Sequence, residues 1–181
     1  MLFRSAVAYT FFKAQGKPVG TSLVEDDKLD AARDILQRAA ARGLTISLPV
    51  DHVVAPKFEA TAPNEAISVD DPAIGDRMGL DIGPKTAQAY AELLRDARTV
   101  VWNGPMGVFE MDAFAKGTMA VAQAVAAVNG TTIVGGGDSI AAVNKAGVAA
   151  KITHISTGGG ASLEFLGGRT LPGVAVLPER A

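Results

Sequence analysis

The feature that most constrains the fold of this 181-residue chain is a unit that occurs twice near its end: a short apolar run, three glycines, then a helix-compatible segment. Gly135-Gly136-Gly137-Asp138-Ser139 follows the run 131–134, and Gly158-Gly159-Gly160-Ala161-Ser162 follows the run 153–156. Each triplet stands where a strand ends and a helix begins. Glycine there lets the backbone pass close to a ligand, and the first free amides of the next helix point outward with the positive end of its dipole. A phosphate suits such a turn best. The plain alternative is that the triplets are only tight turns in a chain with 20 glycines. Neither matches a named phosphate loop: there is no G-x-G-x-x-G, and Gly83-Pro84-Lys85-Thr86 lacks the upstream glycine of a Walker loop.

The rest of the chain has the same rhythm. Residues 6–14 are helix-compatible and end at Gly16 and Pro18. Over 27–42, Leu29, Ala32, Ile35, Leu36, Ala39 and Ala40 share one helical face, with Asp26 or Asp27 to cap its start and Gly43 its end. Residues 44–48 read as a short buried strand stopped by Pro49, and 51–81 as short strands and loops. Pro84 suits a first helical position, with Ala87, Tyr90, Ala91, Leu94 and Ala97 behind it. A strand follows at 99–102, then a helix capped by Asp112 whose stripe is Phe114, Thr118, Val121, Val125 and Val128 and which ends at Asn129-Gly130. Strand 131–134 leads to a helix ending near 148, strand 152–155 to a short helix ending at Leu166, and 174–177 reads as a last strand.

Such alternation specifies an α/β fold: a three-layer, Rossmann-like parallel sheet with helices on both faces. Ligands of such sheets bind beyond the carboxyl ends of the strands, so loops 103–110, 135–139 and 157–162 are expected to converge on one edge.

Composition narrows the partners. Seventeen basic against nineteen acidic residues, net charge -2, disfavour nucleic acid and membrane surfaces and leave small molecules. Without cysteine there is no disulfide, thiolate metal site or cysteine nucleophile. His52 and His154, far apart in sequence, are expected to line or cap strand ends rather than ligate metal. No apolar run approaches the roughly 18 to 20 residues needed to cross a bilayer. Met1-Leu2-Phe3-Arg4-Ser5 is too short for a signal peptide, and a cytoplasmic location is expected.

The loop Val101-Trp102-Asn103-Gly104-Pro105-Met106-Gly107-Val108-Phe109-Glu110, the G-G-G-D-S run, and Ser156-Thr157-Gly158-Gly159-Gly160-Ala161-Ser162-Leu163-Glu164 together closely resemble phosphoglycerate kinase. The resemblance continues in the family's order through Met78-Gly79-Leu80-Asp81-Ile82-Gly83-Pro84-Lys85-Thr86, Leu48-Pro49-Val50-Asp51-His52-Val53-Val54, Ala8-Tyr9-Thr10-Phe11 and Leu171-Pro172-Gly173-Val174. It covers residues 6–181 and is similar to that enzyme's C-terminal, nucleotide-binding domain.

The resemblance implies reversible phosphoryl transfer in glycolysis between ATP and 3-phosphoglycerate, with Mg2+, by closure of two domains in an enzyme that is typically monomeric. It places Gly79, Asn103, Pro105, Gly107 and Val108 about the adenine and ribose, and Glu110 on the ribose hydroxyls. It places Gly136, Gly137, Asp138 and Ser139 on the phosphates, with Asp138 also at the metal, and turns the amides of Gly158, Gly159 and Gly160 toward the group in transfer. Glu110 read alone is a solvated loop acid, and Asp138 read alone a helix cap.

The family's basic substrate-binding domain with its arginine, and its Gly-Ala-Lys segment with two lysines, are not in these residues, and 1–5 do not match what should stand there. The expectation is a fragment, incomplete at its N-terminal side, that lacks turnover by itself. A non-catalytic nucleotide-binding module is the alternative, and a chain that neither folds well nor binds is a third. A dinucleotide-dependent dehydrogenase is disfavoured by the missing fingerprint.

Overall fold

The computed structural model of the chain describes residues 5–176. Helix α1 (Ser5–Ala14) buries Tyr9 and Phe12 against Val69 and ends before Gly16, whose φ of 77° suits glycine. A single 3-10 turn, Asp26–Lys28, leads into α2 (Leu29–Ala41). Neither Asp26 nor Asp27 caps α2: Lys28 precedes it without a side-chain cap, Asp26 pairs with Lys13 at 2.7 Å and Asp27 with Lys28 at 2.6 Å. Gly43 does close it, with φ 65° and a Leu44 N–H to Ala39 carbonyl bond of 2.9 Å behind it. Of the apolar stripe on α2 only Ala32 is buried.

Residues 44–48 differ from expectation. They form no strand among the described residues, and Leu44 is 62% exposed. An apolar run becomes a buried strand only if a neighbour takes its backbone groups. Here Ser47 offers its carbonyl to a side chain, the Tyr90 hydroxyl at 2.9 Å.

The irregular middle is a small antiparallel sheet. Strand β1 (Asp51–Ala55) lies between β2 (Glu65–Ser68) and β3 (Met78–Ile82). Val53 faces Asp81 while Val54 faces Gly79, so Leu80 is the extra residue of a bulge on β3. Strand β3 runs straight into α3 (Pro84–Arg95), whose first amides are capped by a residue remote in sequence. Asp51 accepts from Lys85 N–H at 3.0 Å and Thr86 N–H at 2.7 Å.

The parallel α/β sheet expected from the sequence follows. Strands β4 (Thr99–Asn103), β5 (Thr131–Gly135) and β6 (His154–Ser156) pair in parallel in that order. They are linked by α4 (Lys116–Ala126) and α5 (Gly137–Lys145), and α6 (Gly159–Leu166) follows β6. Val100, Trp102 and Val134 of the sheet bury against Val121 and Val125 of α4 and Val143 of α5. Of the expected stripe, Phe114, Thr118, Val121 and Val125 are buried, whereas Val128 lies beyond the end of α4 and is only partly buried.

Two local expectations are corrected. Asp112 does not cap α4: it opens a 3-10 turn (Asp112–Phe114) and its carboxylate binds Lys145 at 2.7 Å, so α4 starts later, at Lys116. The last strand is instead a helical turn, α7 (Pro172–Ala175), begun by Pro172 in a position that suits its fixed φ. Leu177 and residues 1–4 lie outside the described residues.

Candidate functional site

The sheet register brings the three expected loops to one edge. Asn103 pairs with Gly135, and Gly135 with Ser156, so all three strands end level. The two glycine turns then touch. Gly136 N–H donates to the Ser156 carbonyl at 3.1 Å, and a Cβ on Gly159 would lie 2.6 Å from both Cα and N of Gly136. Asn103 ties the first loop to the second triplet by donating from Nδ2 to the Gly159 carbonyl at 3.2 Å.

Gly136 has φ 90°, a conformation that glycine adopts without strain, and α5 begins immediately after it. Gly137 and Asp138 form the exposed first turn, and a Cβ on Gly137 would meet nothing within 4 Å. The α5 N-terminus therefore opens onto solvent with Asp138 at its rim. Ser139 points the other way: it is fully buried, and its hydroxyl accepts from Gly104 N–H at 2.6 Å. In this arrangement it holds loop 103–110 against α5. Gly158 precedes α6, Gly159 is buried against the first triplet, and Gly160 is exposed with nothing within 4 Å of a Cβ.

The loop 103–110 is pinned from every side. Thr118 accepts from the amides of Met106 at 3.0 Å and Gly107 at 3.2 Å. Lys145 donates to the Phe109 carbonyl at 2.8 Å. Val108 N–H donates to Leu80 carbonyl at 2.8 Å, and a Cβ on Gly107 would collide with Asp81 and the Leu80 carbonyl. Val108 itself packs in a core with Leu80 and Phe114. What it can offer a ligand is backbone. Pro105 is half-buried, and Glu110 is exposed at the loop's end. Gly79 lies apart from the triplets, buried in β3. The structure thus joins Asn103, Ser139 and both triplets directly, and connects Gly107 and Val108 to the strand that carries Gly79.

Asp81 is a buried support that local patterning does not reveal. Its carboxylate accepts from Gly117 N–H at 2.7 Å, near the start of α4, and from Ile82 N–H at 2.9 Å. Burial pushes its carboxyl up to about 7, against the pull of those two donors. Thr118 and Lys145 were equally silent: one sits on an apolar stripe and the other in an ordinary helix. His52 is not at a strand end but buried inside β1, whereas His154 does begin β6.

A magnesium ion at this edge would find one carboxylate, Asp138, beside open amides. Among the described residues no three His, Asp or Glu side chains cluster as a metal cage. Magnesium that arrives on phosphates and keeps waters needs only one or two protein carboxylates, so the donor set fits that mode. A cavity of roughly 670 Å3 lies elsewhere, between β1, β2, α3 and α4, and is lined mostly by apolar groups. Among the described residues, no helix is long and apolar enough to cross a membrane.

A parallel α/β sheet with two glycine turns in backbone contact at its carboxyl edge defines the class: a Rossmann-like domain with two helix N-termini at that edge. The family follows from comparison. A family model described as phosphoglycerate kinase matches residues 1–169, and the chain belongs to that family. A phosphoglycerate kinase of Moorella thermoacetica is 60% identical over 99% of this chain, and one from Koribacter versatilis is 58% identical over the same share. The chain spans 46% and 45% of their respective lengths. The structure of phosphoglycerate kinase from Coxiella burnetii superposes with a TM-score of 0.89 at 44% identity, over 94% of this chain and 44% of that one. The enzyme from Pyrococcus horikoshii OT3 gives 0.79 at 38% identity, over 93% and 42%.

Proposed function

We propose that this chain is the nucleotide-binding, C-terminal portion of a phosphoglycerate kinase, holding ATP or ADP for reversible phosphoryl transfer to 3-phosphoglycerate. The observation that carries the reading is the contact between the two glycine turns, which sets two helix N-termini side by side at one sheet edge. Gly136, Gly137 and Asp138 take the nucleotide phosphates, with Ser139 shaping the turn from behind. Asp138 is the protein ligand of Mg2+, which supplies charge neutralisation on the phosphates. Gly79, Asn103, Pro105, Gly107 and Val108 form the base and ribose wall by backbone contact, and Glu110 accepts from the ribose hydroxyls. The amides of Gly158, Gly159 and Gly160 face the group in transfer.

Phosphoryl transfer asks mainly for positioning and charge stabilisation. Backbone amides supply the first and part of the second. An arginine on the transferring group is worth about a thousandfold or more in rate, and the acceptor's own site must be present too. These 181 residues are therefore expected to bind nucleotide without useful turnover. Titration calorimetry with ADP and Mg2+ tests the binding, and a coupled assay with 3-phosphoglycerate tests the turnover. Absence of ADP binding by a folded chain would overturn the first statement, and near-normal turnover the second.

A further inference from the structure

Behind Gly79 lies a buried polar relay that no part of the proposed nucleotide contact uses. The Tyr9 hydroxyl of α1 stands where a Cβ of residue 79 would be, 1.4 Å from the ideal position. It is 2.6 Å from Nδ1 of His52, and the two rings stack at 5.7 Å between centroids, 19° from parallel. Phe12 closes the cluster edge-on to Tyr9 at 5.5 Å. Ser22 stands beside the Tyr9 hydroxyl, and its Oγ accepts from Gly79 N–H at 3.0 Å. The relay thus runs from His52 on β1 to Tyr9, and Tyr9 and Ser22 both meet the backbone of β3 at Gly79.

The bonding sense follows from the orphan atom. His52 is 2% exposed, and its Nε2 has no partner. A buried N–H without an acceptor is rarer and costlier than an under-used lone pair. The ring proton therefore sits on Nδ1 and is given to the Tyr9 oxygen. Burial holds the imidazole neutral, down to about 4, and pushes the phenol up, so neither end of the relay titrates near neutrality.

The relay meets β3 at a consequential point. Gly79 adjoins the bulged Leu80, whose carbonyl receives the Val108 amide, and Asp81 beyond it receives the amide that starts α4. Any shift of Gly79 moves the loop 103–110 with it. We propose that Tyr9 and His52 are positioning residues for the nucleotide: they touch no ligand, but their hydroxyl-to-imidazole bond fixes the depth of the Gly79 wall against which base and ribose pack. This rests on the nucleotide reading above.

The test is Tyr9→Phe, which keeps the ring and removes the oxygen. ADP and inorganic pyrophosphate, each with Mg2+, are titrated into wild type and variant. Loss of one buried hydrogen bond at the wall should weaken ADP about tenfold while pyrophosphate, held by the glycine turns, binds unchanged. Equal weakening of both, or of neither, would overturn the positioning role. Wild type that binds neither anion defeats the nucleotide reading itself, an outcome distinct from the others. If the variant does not fold, the wild-type chain still decides: nitrogen-proton correlation of the His52 ring should show the Nδ1–H tautomer and should shift with ADP but not with pyrophosphate. An Nε2–H ring, or one indifferent to ADP, overturns the proposal.

Discussion

Gly159 rests on Gly136: any Cβ on Gly159 would come within 2.6 Å of the Gly136 Cα and N. The two triplets are thus one structure, in which neither turn keeps its place without the other. Gly159→Ala must push backbone against backbone, since no flexible side chain stands there to yield. Overpacking of that kind costs roughly 1–3 kcal/mol, measurable by urea unfolding, and ADP affinity should fall with it. Gly160→Ala, with nothing within 4 Å of its Cβ, should leave stability unchanged. Equal stability of the two variants would show that the turns are not in contact.

Asp138 separates metal from nucleotide. It stands exposed in the first turn of α5, where its charge is compatible with the helix N-terminus. Asp138→Asn keeps the shape and removes the charge. Perturbing a metal site costs on the order of tenfold or more in metal affinity, so binding of ADP with Mg2+ should fall by about that factor, while metal-free ADP should bind as well or better. Titration calorimetry with and without chelator reads both. A variant with unchanged magnesium dependence would remove Asp138 from the metal.

The glycine turns were legible in the sequence because their signals are local. A glycine triplet between an apolar run and a helix carries its own geometry, as does Pro84 at a helix start. What was not legible depends on partners distant in sequence. The antiparallel sheet exists because residues 51–55 find both 65–68 and 78–82, and nothing in the spacing of β-branched residues says so. Caps failed for the same reason: Asp112 and Asp27 stand where a cap is expected but bind lysines, whereas α3 and the start of α4 are capped by Asp51 and Asp81 from other elements. Residues 44–48 were misread because apolar composition signals burial only when a strand is present to pair with. Ser139 illustrates the limit at the site itself. Its place after Gly-Gly-Gly-Asp suggests a hydroxyl for phosphate, but the side chain turns inward to Gly104.

The Asp51–Thr86 pair should be a stability determinant outside the site. Thr86 is buried, and its hydroxyl donates to Asp51 Oδ1 at 2.6 Å and accepts from the amides of Val50 at 3.0 Å and Asp51 at 3.1 Å. Thr86→Val keeps the volume and strands those groups, at a cost of about 2–3 kcal/mol. The denaturation midpoint should fall by the corresponding amount with an unchanged slope on denaturant. A loss within experimental error would mean that water replaces the hydroxyl.

Asp81 and His52 should give the chain an unusual pH response, because burial shifts them in ways that oppose each other. The folded His52 titrates at about 4, below its ordinary 6.5, so between those values the unfolded chain holds a proton that the folded chain does not. Its contribution therefore makes stability rise with pH across that window. The folded Asp81 titrates at about 7, above its ordinary 3.8, so between those values the folded chain holds the extra proton and stability falls as pH rises. In wild type the two slopes largely cancel from about 4 to 6.5, and only the Asp81 loss remains up to about 7. Asp81→Asn removes one of them. Its stability relative to wild type should climb with pH from 4 to 7, by up to about 1.4 kcal/mol per pH unit. His52→Gln should show the opposite trend between 4 and 6.5. Urea unfolding at half-unit pH steps measures both differences, and parallel curves for wild type and Asp81→Asn would mean that Asp81 is ionised in the folded chain, held by the Gly117 and Ile82 amides against the cost of burial.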